Sequence, residues 1–422
     1  MRIFERVYRY KIVGVLIIAW CATNTAAYSV LTHEELIDLA WNESIRPVLL
    51  KRFPAATESQ LRTAHAYAYG GCAIQDMGYY PFGHQFFSDL THYVRTGDFI
   101  SWLFRNARTI DEYAFAMGAL SHYLGDSLGH SEAVNPATAL SFPNLRRKFG
   151  PVVTYDQSPH GHIRTEFAFD VGELRNAEFV PPSYLRFIGL KVPRRFLEEA
   201  FVSVYGFDIH EVLGRARPAL RSYRTSVRTF IPAFAEAEVV LHRNQFPPHT
   251  DDEAHRIFME RVARTNYERH WKHPYRGPGV KAHLLAILVF LVPKIGAASD
   301  LAIKIPTAET RNWYLRSVNR TVDEFKRVMD GFANEPDRSI ALSNIDLDTG
   351  FPVRLGDYPR ADETYARLLE RLTAKPDQAI PADLKRNILQ YYAAPGLGVD
   401  PDTKIKARLE IFSRIPTVGQ IK

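Results

Sequence analysis

Cysteine is nearly absent, with two among 422 residues, Cys21 and Cys72. Cys21 falls inside an N-terminal leader, so the mature chain keeps Cys72 alone and can form no intramolecular disulfide. Stability must then come from core packing or from bound metal. Long apolar runs are also missing. The two most apolar stretches, Ile12 to Ala22 and Ala282 to Val292, each span 11 residues, well short of the ~20 needed to cross a bilayer as a helix. No charge of one sign dominates. The chain has 53 basic and 47 acidic residues for a net charge of +6, and residues 1–27 hold four of the basic residues and one acidic one. The mature part is therefore left near +3, a balance that gives no ground for a specific nucleic-acid partner. Internal repeats and low-complexity tracts are lacking, and alternating strand patterns are scarce. What remains, 46% hydrophobic and 24% charged residues, is an ordinary globular composition rather than a disordered one.

The N-terminus is informative. Arg2, Arg6, Arg9 and Lys11 precede the Ile12–Ala22 run, which is followed by the small residues Thr25, Ala26 and Ala27. This is the pattern of a secretory signal peptide over residues 1–27, with Tyr28 as the mature N-terminus and a secreted or periplasmic destination.

From Glu34 onward apolar residues recur at helical spacing, which predicts an all-α fold. The first helix begins around Leu36, Ile37, Ala40 and Trp41 with Thr32 as N-cap, and a second covers Leu61 to Tyr69. A long third helix runs from Thr109 to Ala133, with Pro136 just past its end. Gly70, Gly71, Gly78, Pro81 and Gly83 mark an irregular loop before it. Helical patterns resume over 164–176, 184–199, 221–242 and 252–270. His273 to Pro278, with two prolines and a glycine, is the best boundary, dividing a domain over 28–275 from a helical C-terminal extension over 276–422. Within that extension, Thr349–Pro352 and Gly356–Tyr358 read as an ordered loop. Ala282 to Val292 reads as a buried core helix, the alternative being a segment that contacts lipid.

The chemistry concentrates in the third helix. His122, Asp126 and His130 lie at i, i+4 and i+8, so a helix sets all three on one face. The two histidines are about 12 Å apart along the axis at 1.5 Å per residue. One ion cannot take both, so the row points to more than one metal, with Asp126 shared. Further ligand types lie nearby in sequence. His162 and Glu166 repeat the i, i+4 pairing, Asp76 and His92 flank the Gly/Pro loop, and His33 follows Tyr28 by five residues. The α-amine freed at Tyr28 is itself a metal ligand once deprotonated. His160 reads as a loop residue after Ser158 and Pro159, and His65 and Cys72 as packing residues.

This pattern resembles the zinc-dependent phospholipase C family, whose superfamily also holds zinc nucleases for single-stranded nucleic acid. The resemblance implies an all-helical multi-helix domain and a cluster of three zinc ions. It implies one zinc on the Tyr28 amine and carbonyl with His33, Tyr standing where the family usually has Trp. A second would be held by Asp76, His92, His122 and Asp126, with Asp126 bridging the two, and a third by His130, His162 and Glu166. His130 follows Asp126 by four residues with no Pro between, where the family has six, and His84 competes with His92.

The activity so implied is that of an exported zinc phosphodiesterase acting on phospholipid head groups. Two zincs sharing Asp126 would acidify a bridging water into a hydroxide aimed at phosphorus. Asp76 would hold that water or act as general base. The expected partners are a phospholipid or other phosphodiester substrate and, peripherally, a membrane. A zinc nuclease of the same superfamily and a lipid- or surface-binding protein with structural zinc are the alternatives.

Overall fold

The computed structural model describes residues 30–176, 188–247, 252–265, 279–291, 303–334, 341–393 and 400–418. The leader, Tyr28 and the 273–278 boundary lie outside the described residues. The fold is all-α. Among the described residues the only regular strand pairing is the two-residue parallel match of Ile380–Pro381 with Thr417–Val418.

A central helix, Ile110–Gly129, organises the rest. Thr109 caps its N-terminus in a capping box with Glu112, so two of the otherwise unpaired backbone donors are satisfied. The helix is nearly all apolar and small, and is buried on every side from Tyr113 to Ser127. It crosses the helix Glu58–Gly71 at a pair of glycines. A Cβ on Gly118 would lie 2.1 Å from the Ala68 carbonyl oxygen, and one on Gly71 would lie 2.2 Å from that of Phe115. Only glycine on both sides permits this approach, which brings the carbonyl of Cys72 against the central helix.

Around this crossing pack the helices Val30–Ala40, Gln85–Tyr93, Thr96–Asn106 and Pro159–Asn176. The first helix begins earlier than its sequence pattern suggests. Thr32 lies inside it and is no cap; its hydroxyl and amide donate to the Asp170 carboxylate at 2.7 and 3.1 Å, and Leu31 N donates at 3.0 Å. A side chain from a distant helix thus replaces the local N-cap. The central helix likewise does not end before Pro136. It widens into a π turn, His130–Val134, and continues as Asn135–Ser141, with Pro136 directly after the π turn. The helix expected from Arg164 starts at Pro159, in a first turn whose amides have no helical partner in any case. His160 is therefore helical, and it is exposed.

Residues beyond 276 share the core of the preceding ones. Phe325, Met329, Phe332, Leu347, Tyr365 and Leu368 belong to the same buried cluster as Phe104, Phe115 and Leu120. Phe332 stacks on Phe104 at 5.0 Å. The long helix Ala308–Asn334 also reaches the first helix, where the Tyr314 hydroxyl lies 3.0 Å from the Thr32 hydroxyl and donates to Glu35 at 3.2 Å. The segment expected as a buried core helix forms the helix Val280–Leu291, but only part of it is covered. Ala282 and Ala286 are buried, whereas Val280, Leu284 and Ile287 are more than half exposed. At 12 residues it packs one face on the helix Ile231–His242 and leaves the other open. Among the described residues, no helix is long and apolar enough to cross a membrane.

Candidate metal centre

His33, Asp76, His92, His122, Asp126, His130, His162 and Glu166 converge at one place beside the central helix. Each is between 0% and 4% exposed. Burying so many ionisable groups together is costly unless they share a partner of opposite charge. Tyr28 lies outside the described residues.

The first group gathers Asp76, His92, His122 and Asp126. Asp76 sits on the 3₁₀ turn Gln75–Tyr79. That turn is fixed by Ser88, whose hydroxyl donates to the Gln75 carbonyl at 2.6 Å and accepts from Gly78 N at 3.0 Å. The Gln75 side chain donates to the Ala119 carbonyl at 3.0 Å, tying the turn to the central helix. His92 comes from the helix Gln85–Tyr93. Its Nε2 lies 3.4 Å from Asp76 Oδ1, 3.3 Å from Asp126 Oδ2 and 3.3 Å from His122 Nε2. His122 Nε2 is 3.0 Å from Asp126 Oδ2. Tetrahedral zinc ligands at 2.0–2.1 Å stand about 3.3 Å from one another, so these separations suit one ion. The far ring nitrogens are held by backbone: His92 Nδ1 contacts the Ser88 carbonyl at 2.7 Å, and His122 Nδ1 contacts that of Cys72 at 3.0 Å. With Nδ1 as donor, each Nε2 keeps a lone pair for metal.

The other oxygen of Asp126 faces a second group. His33 Nε2 is 3.2 Å from Asp126 Oδ1, and the His33 ring stacks on His122 with centroids 4.2 Å apart. A Cβ on Gly125 would press on Leu36 Cδ1 at 3.0 Å and touch the His33 ring at 3.4 Å. Asp126 thus offers one oxygen to each of two adjacent groups, the arrangement of a bridging carboxylate.

A third group contains His130, His162 and Glu166. Glu166 Oε1 lies 3.0 Å from His130 Nε2 and 2.9 Å from His162 Nε2, while His130 Nε2 is 3.8 Å from Asp126 Oδ1. His130 keeps the α-helical bond from its N–H to the Asp126 carbonyl, and the π turn widens the helix from this residue onward. Asp348 joins from far along the chain, 3.5 Å from His130 Nδ1 and 4.0 Å from His162 Nδ1. Nothing in its own spacing marks it. The only sequence signal is the alternation Ile345-Asp346-Leu347-Asp348, which buries two acids with no basic residue beside them.

The donor atoms fit cations better than one another. Glu166 Oε1 and His162 Nε2 are at hydrogen-bond distance yet form no hydrogen bond, and Asp76 Oδ1, both Asp126 oxygens and Asp348 Oδ1 are likewise unbonded. Their lone pairs converge on shared points. The electrostatics agree. Burial pushes the Glu166 carboxyl up to about 8 against the pull of His130, and burial depresses His162. Burial also opposes charging of His92, but Asp126 and Asp76 outweigh it and raise that imidazole to about 10. Despite its burial, Asp126 is held well below the usual carboxylate range by His122 and His130. Three buried groups could hold metal: His33 with His122 and Asp126; Asp76 with His92 and His122; and His130 with His162 and Asp348.

Other candidates from the sequence have separate roles. His84 is the N-cap of the helix Gln85–Tyr93, where its Nδ1 accepts from Phe86 N at 3.2 Å, so His92 alone enters the centre. His65 contacts Asp38 at 3.0 Å and stacks on Trp41, and Cys72 is a buried thiol.

No curated protein and no solved structure matches the chain. A family profile does match it, described as zinc dependent phospholipase C, over residues 32–210. That span holds all eight converging residues from His33 to Glu166 and excludes Asp348. Over residues 32–210 the chain is therefore similar to the zinc-dependent phospholipase C family.

Proposed function

We propose that the chain is an exported phosphodiesterase that hydrolyses phospholipid head groups with three zinc ions. The observation that carries this reading is Asp126, whose two oxygens face two adjacent histidine-bearing groups at 3.0–3.3 Å within a buried site. A carboxylate so placed would be shared by cations held in the two groups, and paired cations would serve in-line displacement at phosphorus. Zinc bound there would supply a Lewis acid for a phosphoryl oxygen and acidify water toward neutral pH.

The chain's own groups have matching tasks. Asp76 Oδ1, buried and without a hydrogen bond, is placed to accept the proton of an attacking water. The Ser88 and Cys72 carbonyls hold the His92 and His122 rings with Nε2 inward. A zinc held by the third group, around Glu166, would offset charge on the leaving oxygen. A phospholipid substrate is supported by the family and by the open apolar face of Val280, Leu284 and Ile287, spaced i, i+4, i+7 on one helix. The basic leader with its short apolar run supports export.

Three probes separate this from its rivals: p-nitrophenyl phosphocholine, phosphatidylcholine vesicles and single-stranded DNA. The expected result is turnover of the first two, abolished by chelator and restored by zinc, with little cleavage of DNA. Preferential cleavage of DNA would favour a nuclease. No turnover of any probe by the zinc-loaded chain would leave only structural zinc and defeat the proposal.

A further inference from the structure

Asp348 lies far outside the 32–210 span, yet the loop that carries it is built into the metal centre. Ile345 pairs with Pro352, and Asp346 N donates to the Phe351 carbonyl at 2.8 Å, closing a tight turn. Gly350 takes a left-handed φ of 75°, and a Cβ there would lie 2.7 Å from the Ser127 carbonyl oxygen, so glycine lets the turn rest on the central helix. Leu347 N donates to the carbonyl of His92 at 3.1 Å, and Asn135 donates to that of Asp348 at 2.8 Å. The loop is thereby stitched to the elements bearing His92, Asp126 and His130.

The two oxygens of Asp348 have different surroundings. Oδ2 is locked, accepting from the Tyr358 hydroxyl at 2.6 Å and from Tyr155 N at 2.9 Å. Oδ1 makes no hydrogen bond and points at the Nδ1 atoms of His130 and His162, at 3.5 and 4.0 Å. The Nε2 atoms of the same rings face Glu166 Oε1 instead. An imidazole that binds metal through Nε2 carries its proton on Nδ1, and that proton needs an acceptor. His92 and His122 have backbone carbonyls for this purpose. For His130 and His162 the group opposite Nδ1 is the Asp348 carboxylate.

Resting on the zinc reading above, we propose that Asp348 is a positioning residue of the third metal site. Its carboxylate orients both imidazoles and adds a negative charge behind them, so the C-terminal region completes a centre that the family domain alone leaves unsupported. Removing such a partner typically lowers metal affinity by about 10–100-fold.

The test measures zinc affinity by competition with a chromophoric chelator in the full mature chain, comparing wild type with the near-isosteric Asp348→Asn. The expected result is that both chains reach the same zinc content at saturation, with one ion of the variant released roughly 10–100-fold more readily. Unchanged affinity overturns the proposal. So does an ion missing even at saturation, which would make Asp348 a ligand in its own right. If Asp348→Asn fails to fold, Tyr358→Phe carries the test, because it removes one of the two hydrogen bonds that lock Oδ2 while leaving the carboxylate. A several-fold loss at one ion is then expected, and no loss overturns the proposal. A wild-type chain that binds no zinc defeats the function proposed above and this role with it. Equal affinities in zinc-binding wild type and variant defeat this role alone.

Discussion

Replacing Asp126 by Asn is expected to reduce turnover of a soluble phosphodiester by about 10³-fold or more and to lower zinc content by at least one ion per chain. Asp126 serves both sides of the centre, with Oδ2 at 3.0 Å from His122 and 3.3 Å from His92, and Oδ1 at 3.2 Å from His33. The amide has nearly the same shape, but one of its two heads is an NH₂ that donates only. Whichever way it turns, one group loses its shared anion and meets a donor where it needs a ligand. The effect should therefore appear in metal content and in kcat together. A variant with near wild-type kcat and full zinc would show that Asp126 bridges nothing.

Stripping the metal is expected to lower the melting temperature on the order of 10 °C, reversibly on return of zinc. Each site saturated at 100 times its Kd contributes about 2.7 kcal/mol to the folded state. A shift of ~2 °C per kcal/mol is typical at the large end of single domains. The buried groups give the physical cause. Without a cation, Asp76, Asp126, Glu166 and Asp348 sit together out of water with five imidazoles. Burial pushes the Glu166 carboxyl up to about 8 and depresses His162, so the apo site must carry awkward protons or uncompensated charge. Calorimetry of chelated and reconstituted protein checks this. Identical melting curves would mean that the cluster is stable without metal.

Sequence and structure part company at identifiable places. His122 with Asp126, and His162 with Glu166, are legible because an i, i+4 step on a helix fixes their proximity before any tertiary contact exists. Asp76, His92 and His33 are not fixed by spacing. They meet the central helix only through the Gly71–Gly118 crossing and the Ser88-pinned turn, and the family resemblance supplied them. His130 is legible from the same helical spacing, four residues on from Asp126 with the α-helical bond between them intact, whereas periodicity does not reveal the π turn that follows. Thr32 is no cap because the helix already runs from Val30, and Asp170, on another helix, accepts from the amides of Leu31 and Thr32 in its first turn.

The C-terminal half shows the same limit more sharply. Periodicity gives its helices, yet nothing in a linear pattern says that Asp348 returns to His130 or that Phe332 stacks on Phe104. The helix Val280–Leu291 reads as core because it is apolar apart from Lys281 and His283. The exposure of Val280, Leu284 and Ile287 shows that apolar content alone does not decide burial.

Zinc content per mature, folded chain tests the central claim most directly, measured by elemental analysis on protein purified without added chelator. The three buried groups predict about three ions per chain. Protein that is folded and holds no zinc, and takes none up from a zinc buffer, would contradict the account.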